Sequence, residues 1–193
     1  MSTTGGRPLR ADAQRNRDRL LTSAVRMFSE HGPDVPLDAV AKDAGVGIGT
    51  LYRNFPTREN LIEAAYRNEL THVCEQANRL LTTKNPPAVA LRMWMDQFID
   101  YMTTKAGMGD ALRAVIAAGG DPYSSSRARL GEAVTLLLRA STKAGSIRSD
   151  VDPDDILLSL SGIALAAGAP EQRAQADRML DLLMDGLRYR DTP

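Results

Sequence analysis

The sequence predicts an all-α protein of about nine helices, divided into a small N-terminal three-helix unit and a larger C-terminal helical bundle. Three observations predict it. Apolar residues recur three and four apart along most of the chain, the period of an amphipathic helix. Aromatics are only 5% of the 193 residues, while Ala, Leu, Met and Arg are frequent, which favours helix over sheet. Gly and Pro punctuate the periodic runs, as at His31-Gly32-Pro33, Gly45, Lys84-Asn85-Pro86-Pro87, Gly119-Gly120-Asp121-Pro122 and Gly145.

Residues 1–11 read as a flexible arm of Gly, Ser, Thr and Pro. Arg7 and Arg10 in it are either solvated or able to reach a minor groove or phosphates. A first helix is expected from about Asp12 to Ser29, with Leu20, Leu21, Ala24, Val25 and Phe28 as its stripe. A second starts near Pro36, where proline suits the first helical position. Leu37, Val40, Ala41 and Ala44 give its apolar face, and Gly45 stands where a left-handed residue stops a helix. Val46 can plug the gap. A third helix starts near Gly47 or Ile48, with Leu51 and Phe55 inward and Thr50, Arg53 and Asn54 pointing elsewhere. Residues 36–55 thus have the build of a helix-turn-helix, whose second helix enters the DNA major groove.

Thr57 caps a long fourth helix towards Leu81, although Asn60 rather than Glu or Gln stands three residues on. Lys84-Asn85-Pro86-Pro87 is a clear break and reads as a domain boundary. Five more helices follow, at about Ala88 to Thr104, Asp110 to Ala118, Ser124 to Lys143, Asp152 to Gly168 and Pro170 to Tyr189. The fourth of these opens on a cap, a proline and acids in its first turn, at Asp152, Pro153, Asp154 and Asp155.

Ala41, Ala44-Gly45-Val46, Gly49-Thr50-Leu51-Tyr52 and Phe55, followed by Pro56-Thr57-Arg58-Glu59-Asn60-Leu61, resemble the DNA-binding domain of the TetR/AcrR family of bacterial transcriptional regulators. The resemblance covers about Asp12 to Tyr66. It implies a DNA-binding domain over 12–66 and a C-terminal ligand-binding and dimerisation domain over 67–193. It also implies a phosphate contact for Tyr52 and a core place for Phe55. Relatives often carry Ser where Gly47 stands, a Ser or Thr cap before the second helix, and a phosphate-binding Lys where Arg58 stands. The candidate DNA contacts are Gly47, Ile48, Thr50, Tyr52, Arg53, Asn54, Thr57 and Arg58. Ile48 or Thr50 suits a thymine methyl and Arg53 a guanine edge. Tyr52, Asn54 and Arg58 suit phosphates, and Gly47 and Gly49 suit close approach of backbone to DNA.

Composition narrows the function. Net charge is zero, so a general nucleic-acid coat is disfavoured. Residues 1–85 hold 12 bases and 10 acids, with Arg7, Arg10, Arg15, Arg17 and Arg19 clustered early. Cys74 is the only cysteine, which precludes an internal disulfide and fits a reducing cytoplasm. No apolar run suits a membrane span or a signal peptide. No P-loop, dinucleotide fingerprint or His-Glu-x-x-His occurs, and His31, His72 and Cys74 do not form a metal motif. No catalysis, metal or cofactor is expected.

Trp94, Met95, Phe98, Tyr101 and Met102 are large and adaptable, so their helix is the expected inducer site, with bundle core as the competing reading. The segment 152–189 carries more apolar surface than one packing face needs, as in Leu180, Leu182, Leu183 and Leu187, and predicts a homodimer. The expected function is a cytoplasmic regulator, most simply a repressor. A small-molecule inducer would release it from a palindromic double-stranded DNA operator. The competing function is a helical small-molecule-binding or adaptor protein that no longer reads DNA.

Overall fold

The computed structural model describes residues 6–188, among which there is no strand. Its helices are α1 (Gly6–His31), α2 (Leu37–Asp43), α3 (Ile48–Asn54), α4 (Arg58–Leu81), α5 (Pro87–Gly107), α6 (Gly109–Ala117), α7 (Ser126–Lys143), α8 (Pro153–Ala167) and α9 (Arg173–Leu187). A 3-10 turn, Pro170–Gln172, precedes α9. The expected helix order is therefore present.

α1 starts earlier than the sequence suggested. It begins at Gly6, so the expected arm is helical from there on. Pro8 lies in the first turn, where its missing N–H costs nothing, and nothing between it and Asp12 breaks a helix. The side chains of Arg7 and Arg10 lie outside the described residues, as does Tyr189.

The chain forms two compact units. One comprises the chain up to Asn68 together with Thr104–Pro122; the other comprises Glu69–Thr103 and the chain from Tyr123 on. Thr104–Pro122 thus groups with the head, although it lies within the stretch expected as a C-terminal domain, 67–193. The cause is close packing. A Cβ on Gly107 would lie 3.0 Å from the Ser29 Cβ of α1, so glycine lets the α5–α6 junction approach. Arg67 Nη2 also donates to the Asp121 carbonyl at 3.4 Å. The break at Lys84–Pro87 is a turn between α4 and α5 and lies inside the second unit.

In the head, α1 packs on α2 and α3. Leu20, Ala24, Phe28, Val40 and Leu51 are fully buried there. In the second unit, α7 packs on α8 and α8 on α9. α5 buries Ala90, Leu91, Trp94, Met95, Phe98, Ile99 and Tyr101. Ion pairs tie α5 to α9: Arg92 to Asp181 at 2.8 Å and Arg173 to Asp96 at 3.1 Å, with Asp100 also on Arg173. α8 starts as expected, with Asp152 Oδ1 accepting from the Asp154 N–H at 2.8 Å and Pro153 at the first position. No described helix is long and apolar enough to cross a membrane.

Candidate nucleic-acid interface

The turn between α2 and α3 is closed by backbone alone. Gly45 adopts φ +65°, which a Cβ disfavours. Its N–H donates to Lys42 O at 3.0 Å, and the Val46 N–H donates to Ala41 O at 2.9 Å. This pair is the Schellman pattern, which satisfies the last carbonyls of α2. Pro36 precedes α2 as its extended cap residue, and no side chain caps that helix.

Two apolar residues hold α3 from behind: Leu51 is 0% exposed and Phe55 2%. Gly47 is the extended cap residue before α3, and a Cβ on Gly47 or Gly49 would meet nothing within 4 Å. The outer face is open. Ile48 is 40% exposed and Tyr52 50%, Arg53 is exposed, and Thr50 and Asn54 are half-buried. One surface thus gathers the residues expected to face a groove. On it Arg53 lies along the helix, its Nε donating to Gly49 O at 3.2 Å and its Nη2 to Thr50 Oγ1 at 3.1 Å. Both bonds are exposed, so exchanging them for a base edge is inexpensive. Asn54 Nδ2 donates to Thr50 O at 2.8 Å, which fixes the amide and leaves one N–H for an acceptor. Thr57 caps α4 by accepting from the Asn60 N–H at 3.1 Å.

Arg58 departs from expectation. Its Nη1 donates to the carbonyls of Pro33 at 2.7 Å and Val35 at 2.5 Å, and its guanidinium lies 6.0 Å from the Phe28 ring centroid. The residue at the start of α4 therefore pins the α1–α2 loop through Nη1. The cause is the loop itself: it has carbonyls without helical partners, and a guanidinium satisfies two from one side.

Two features of the head were absent from the sequence reading. Ser23 Oγ lies 3.1 Å from Val40 O and 2.5 Å from Asp43 Oδ2, and Arg26 also pairs with Asp43, so α1 clamps the end of α2. The hydroxyl of Ser23, then Arg26, hold the Asp43 carboxyl below the usual aspartate range. Arg17 stacks over Phe55, 4.5 Å from its ring centroid, and steadies the end of α3. The two arginines and the serine sit seventeen to thirty-eight positions from their partners, beyond any local pattern.

The expected inducer residues behave otherwise. Trp94 and Met95 are 0% exposed, Phe98 2% and Tyr101 5%, while Met102 is half-buried. Trp94 Nε1 already donates to Val73 O at 2.8 Å. Trp94 and Phe98 rings meet at 5.7 Å and Phe98 and Tyr101 at 6.1 Å. These four side chains are core. The described cleft of the second unit, about 850 Å³, lies instead between α4 and α7 and is lined by residues such as Cys74, Asn78, Arg129, Leu136 and Arg139. The sequence reading missed it, although Arg129, Leu136 and Arg139 fall on one helical face by their spacing. Among the described residues no group of His, Cys, Asp and Glu could hold a metal.

On α8 and α9 a second surface stands open: Leu158 is 74% exposed, Leu165 90% and Leu182 71%. Leu180 and Leu187, by contrast, are buried within the unit, and Leu183 is half-buried.

Comparison with known proteins follows the same division. Residues 20–65 match the model of bacterial regulatory proteins of the tetR family, and residues 86–189 match the C-terminal domain of SbtR-like transcriptional regulators. A TetR transcriptional regulator from Streptomyces coelicolor is similar in structure with TM-score 0.85 and 57% identity, over 89% of this chain and 98% of that one. A TetR regulatory protein from Mycobacterium vanbaalenii has TM-score 0.78 and 33% identity, over 94% of this chain and 100% of that one. An HTH-type transcriptional regulator of Staphylococcus aureus (strain USA300) is 35% identical over 63 residues, 32% of this chain and 34% of that protein. The chain thus spans about a third to a half of the length of the curated relatives it matches. By its two matched domains and its full-length structural relatives, the chain belongs to the TetR family of bacterial transcriptional regulators.

Proposed function

We propose that the protein is a homodimeric cytoplasmic repressor that grips a palindromic DNA operator through α3 of each protomer and is released by a small-molecule inducer. The observation that carries this is the form of α3: clamped by Leu51 and Phe55, with Ile48, Tyr52 and Arg53 exposed. Arg53 reads a guanine through O6 and N7, and Ile48 or Thr50 meets a thymine methyl. Tyr52, Asn54 and Thr57 bond phosphates, and the open Gly47 and Gly49 let backbone come close.

The dimer forms through the segment 152–189. Leu158, Leu165 and Leu182 are its anchors, because large exposed leucines gathered on two packed helices mark a surface suited to a partner. A two-fold axis then matches the symmetry of a palindrome. The inducer favours a dimer geometry whose α3 pair no longer spans successive major grooves, so inducer and DNA weaken each other reciprocally.

The test is binding of the purified chain to the duplex upstream of its own gene, at two salt concentrations. Retention at moderate salt, with a mutually protected two-fold footprint, is expected; binding no tighter than to random duplex sinks the reading. Leu165→Asp with Leu182→Asp should convert the protein to monomers by light scattering, since each places an unpaired charge in the buried face. A wild-type monomer at micromolar concentration overturns the dimer.

A further inference from the structure

The cleft between α4 and α7 has about 850 Å³, within the range of small-molecule sites. It carries both signs of charge, with Arg129 the most enclosed and Glu75, Glu132 and Arg139 exposed. Arg129 is half-buried, and its Nη2 donates to Thr71 Oγ1 at 3.1 Å, which fixes the guanidinium across the cleft. Glu75 and Glu132 are exposed at the rim, and Glu75 is occupied with Arg79 at 3.3 Å. Buried Ala133 and half-buried Leu136 supply an apolar wall. Among the described residues no carboxylate forms an ion pair with Arg129.

Resting on the inducer-released reading above, we propose that this cleft is the inducer site and that the inducer is a compact organic monocarboxylate. A guanidinium has five donors, and Thr71 takes one. A carboxylate accepts two more in the matching fork geometry. The body of the molecule lies on Ala133 and Leu136. Three other ligand classes fit worse. A neutral apolar molecule would strip water from Arg129 and give it no partner. A cation would meet Arg129 at the bottom of the cleft. A polyanion such as a nucleotide would meet Glu75 and Glu132 as well as Arg139, so its further charges gain no net attraction.

Cys74 lies on the α4 wall and is the chain's only cysteine, so the native protein carries its own reporter. The full-length protein is labelled with a maleimide in the presence of millimolar benzoate, phenylacetate or decanoate, and separately with phenylethylamine or inorganic phosphate. At least one of the three acids should slow Cys74 labelling several-fold, and the amine and phosphate should not. Arg129→Gln should abolish that protection, and Arg129→Lys should restore part of it, with thermal melting of both close to wild type. Protection by the amine as strong as by the acids, protection that survives Arg129→Gln, or no protection by any acid overturns the proposal. A Cys74 that is inert in the native dimer and reactive on denaturation also overturns it, because a second copy then covers the cleft. Fluorescence anisotropy with a DNA duplex, run in parallel, separates the two claims. Protection without DNA release leaves the cleft standing and sinks the inducer-released reading. DNA release by an acid without protection sinks the cleft and leaves that reading standing.

Discussion

α3 and α5 each carry a set of residues whose chemistry suits a ligand, and one set is left exposed while the other is buried. α3 has seven residues and buries Leu51 alone. α5 has 21 residues and buries seven, among them Trp94, Met95, Phe98 and Tyr101. A short helix held at one point has almost no core to fill, so Ile48, Tyr52 and Arg53 are left to solvent. A long helix inside a bundle must fill core along its length, and its largest side chains do so. Side-chain chemistry alone therefore says what a residue could bind. The length and depth of its helix decide whether it is available.

Substitutions sharpen this contrast most at Trp94. Trp94→Ala removes a fully buried ring and orphans the Val73 carbonyl, so unfolding free energy should fall by about 3–5 kcal/mol in denaturant titration. A loss below about 1 kcal/mol would mean that the ring lines a cavity after all. Arg53→Ala should do the reverse. It should leave stability within about 0.5 kcal/mol, because the residue is exposed, and cost about 1–3 kcal/mol at one base position of each half-site. The readout is binding of a half-site library. Uniform weakening with base preference intact would make Arg53 a phosphate clamp only.

Much of the fold was legible because it depends on local rules. The apolar stripe of α1, the glycine at position 45, the cap at Thr57 and the Asp152-Pro153 start of α8 all act within a few residues of themselves. The outer face of α3 was legible for the same reason: Leu51 and Phe55 fix the phase of a 3.6-residue repeat. What escaped depends on partners distant in sequence. The docking of Gly107 on Ser29, which returns α6 to the head, spans nearly eighty positions. The α4–α7 cleft needs Thr71 and Arg129 to meet, and their periodicities say nothing of each other. Arg58 shows both sides. Its place at the start of α4 followed from Thr57, but its target, the carbonyls of Pro33 and Val35, did not.

Arg58 also gives the next test. As a phosphate clamp, its loss would weaken all DNA sequences and lower the salt slope by about one unit. As a tie on the α1–α2 loop, Arg58→Ala should lower stability by roughly 1–2 kcal/mol, since two carbonyls lose a charged donor in a half-buried setting. The salt slope should then stay that of wild type. Arg58→Lys should recover little stability, because an ammonium lacks the planar fork and the contact over Phe28. A reduced slope with unchanged melting would return Arg58 to the DNA face and make the start of α4 behave like α3.

The smallest expected effect lies at the clamp between α1 and α2. Ser23 and Arg26 hold the Asp43 carboxyl below its usual value of 3.8. A carboxyl lowered on folding stabilises the folded state only while it is ionised. Its contribution is therefore complete above the unfolded value and declines as pH falls through the lower, folded one. Near neutral pH it should be flat. The group is exposed, so the effect is small, and other carboxylates titrate in the same window. The measurement that isolates it is the difference in melting temperature between wild type and Asp43→Asn as a function of pH. That difference should be positive and constant from neutral pH down to about 4, then close as the pH drops further. Ser23→Ala should narrow the difference, because its hydroxyl is the main cause of the lowered value. A gap between wild type and Asp43→Asn that persists unchanged into strong acid would mean that the clamp acts through shape, with the charge of Asp43 contributing nothing.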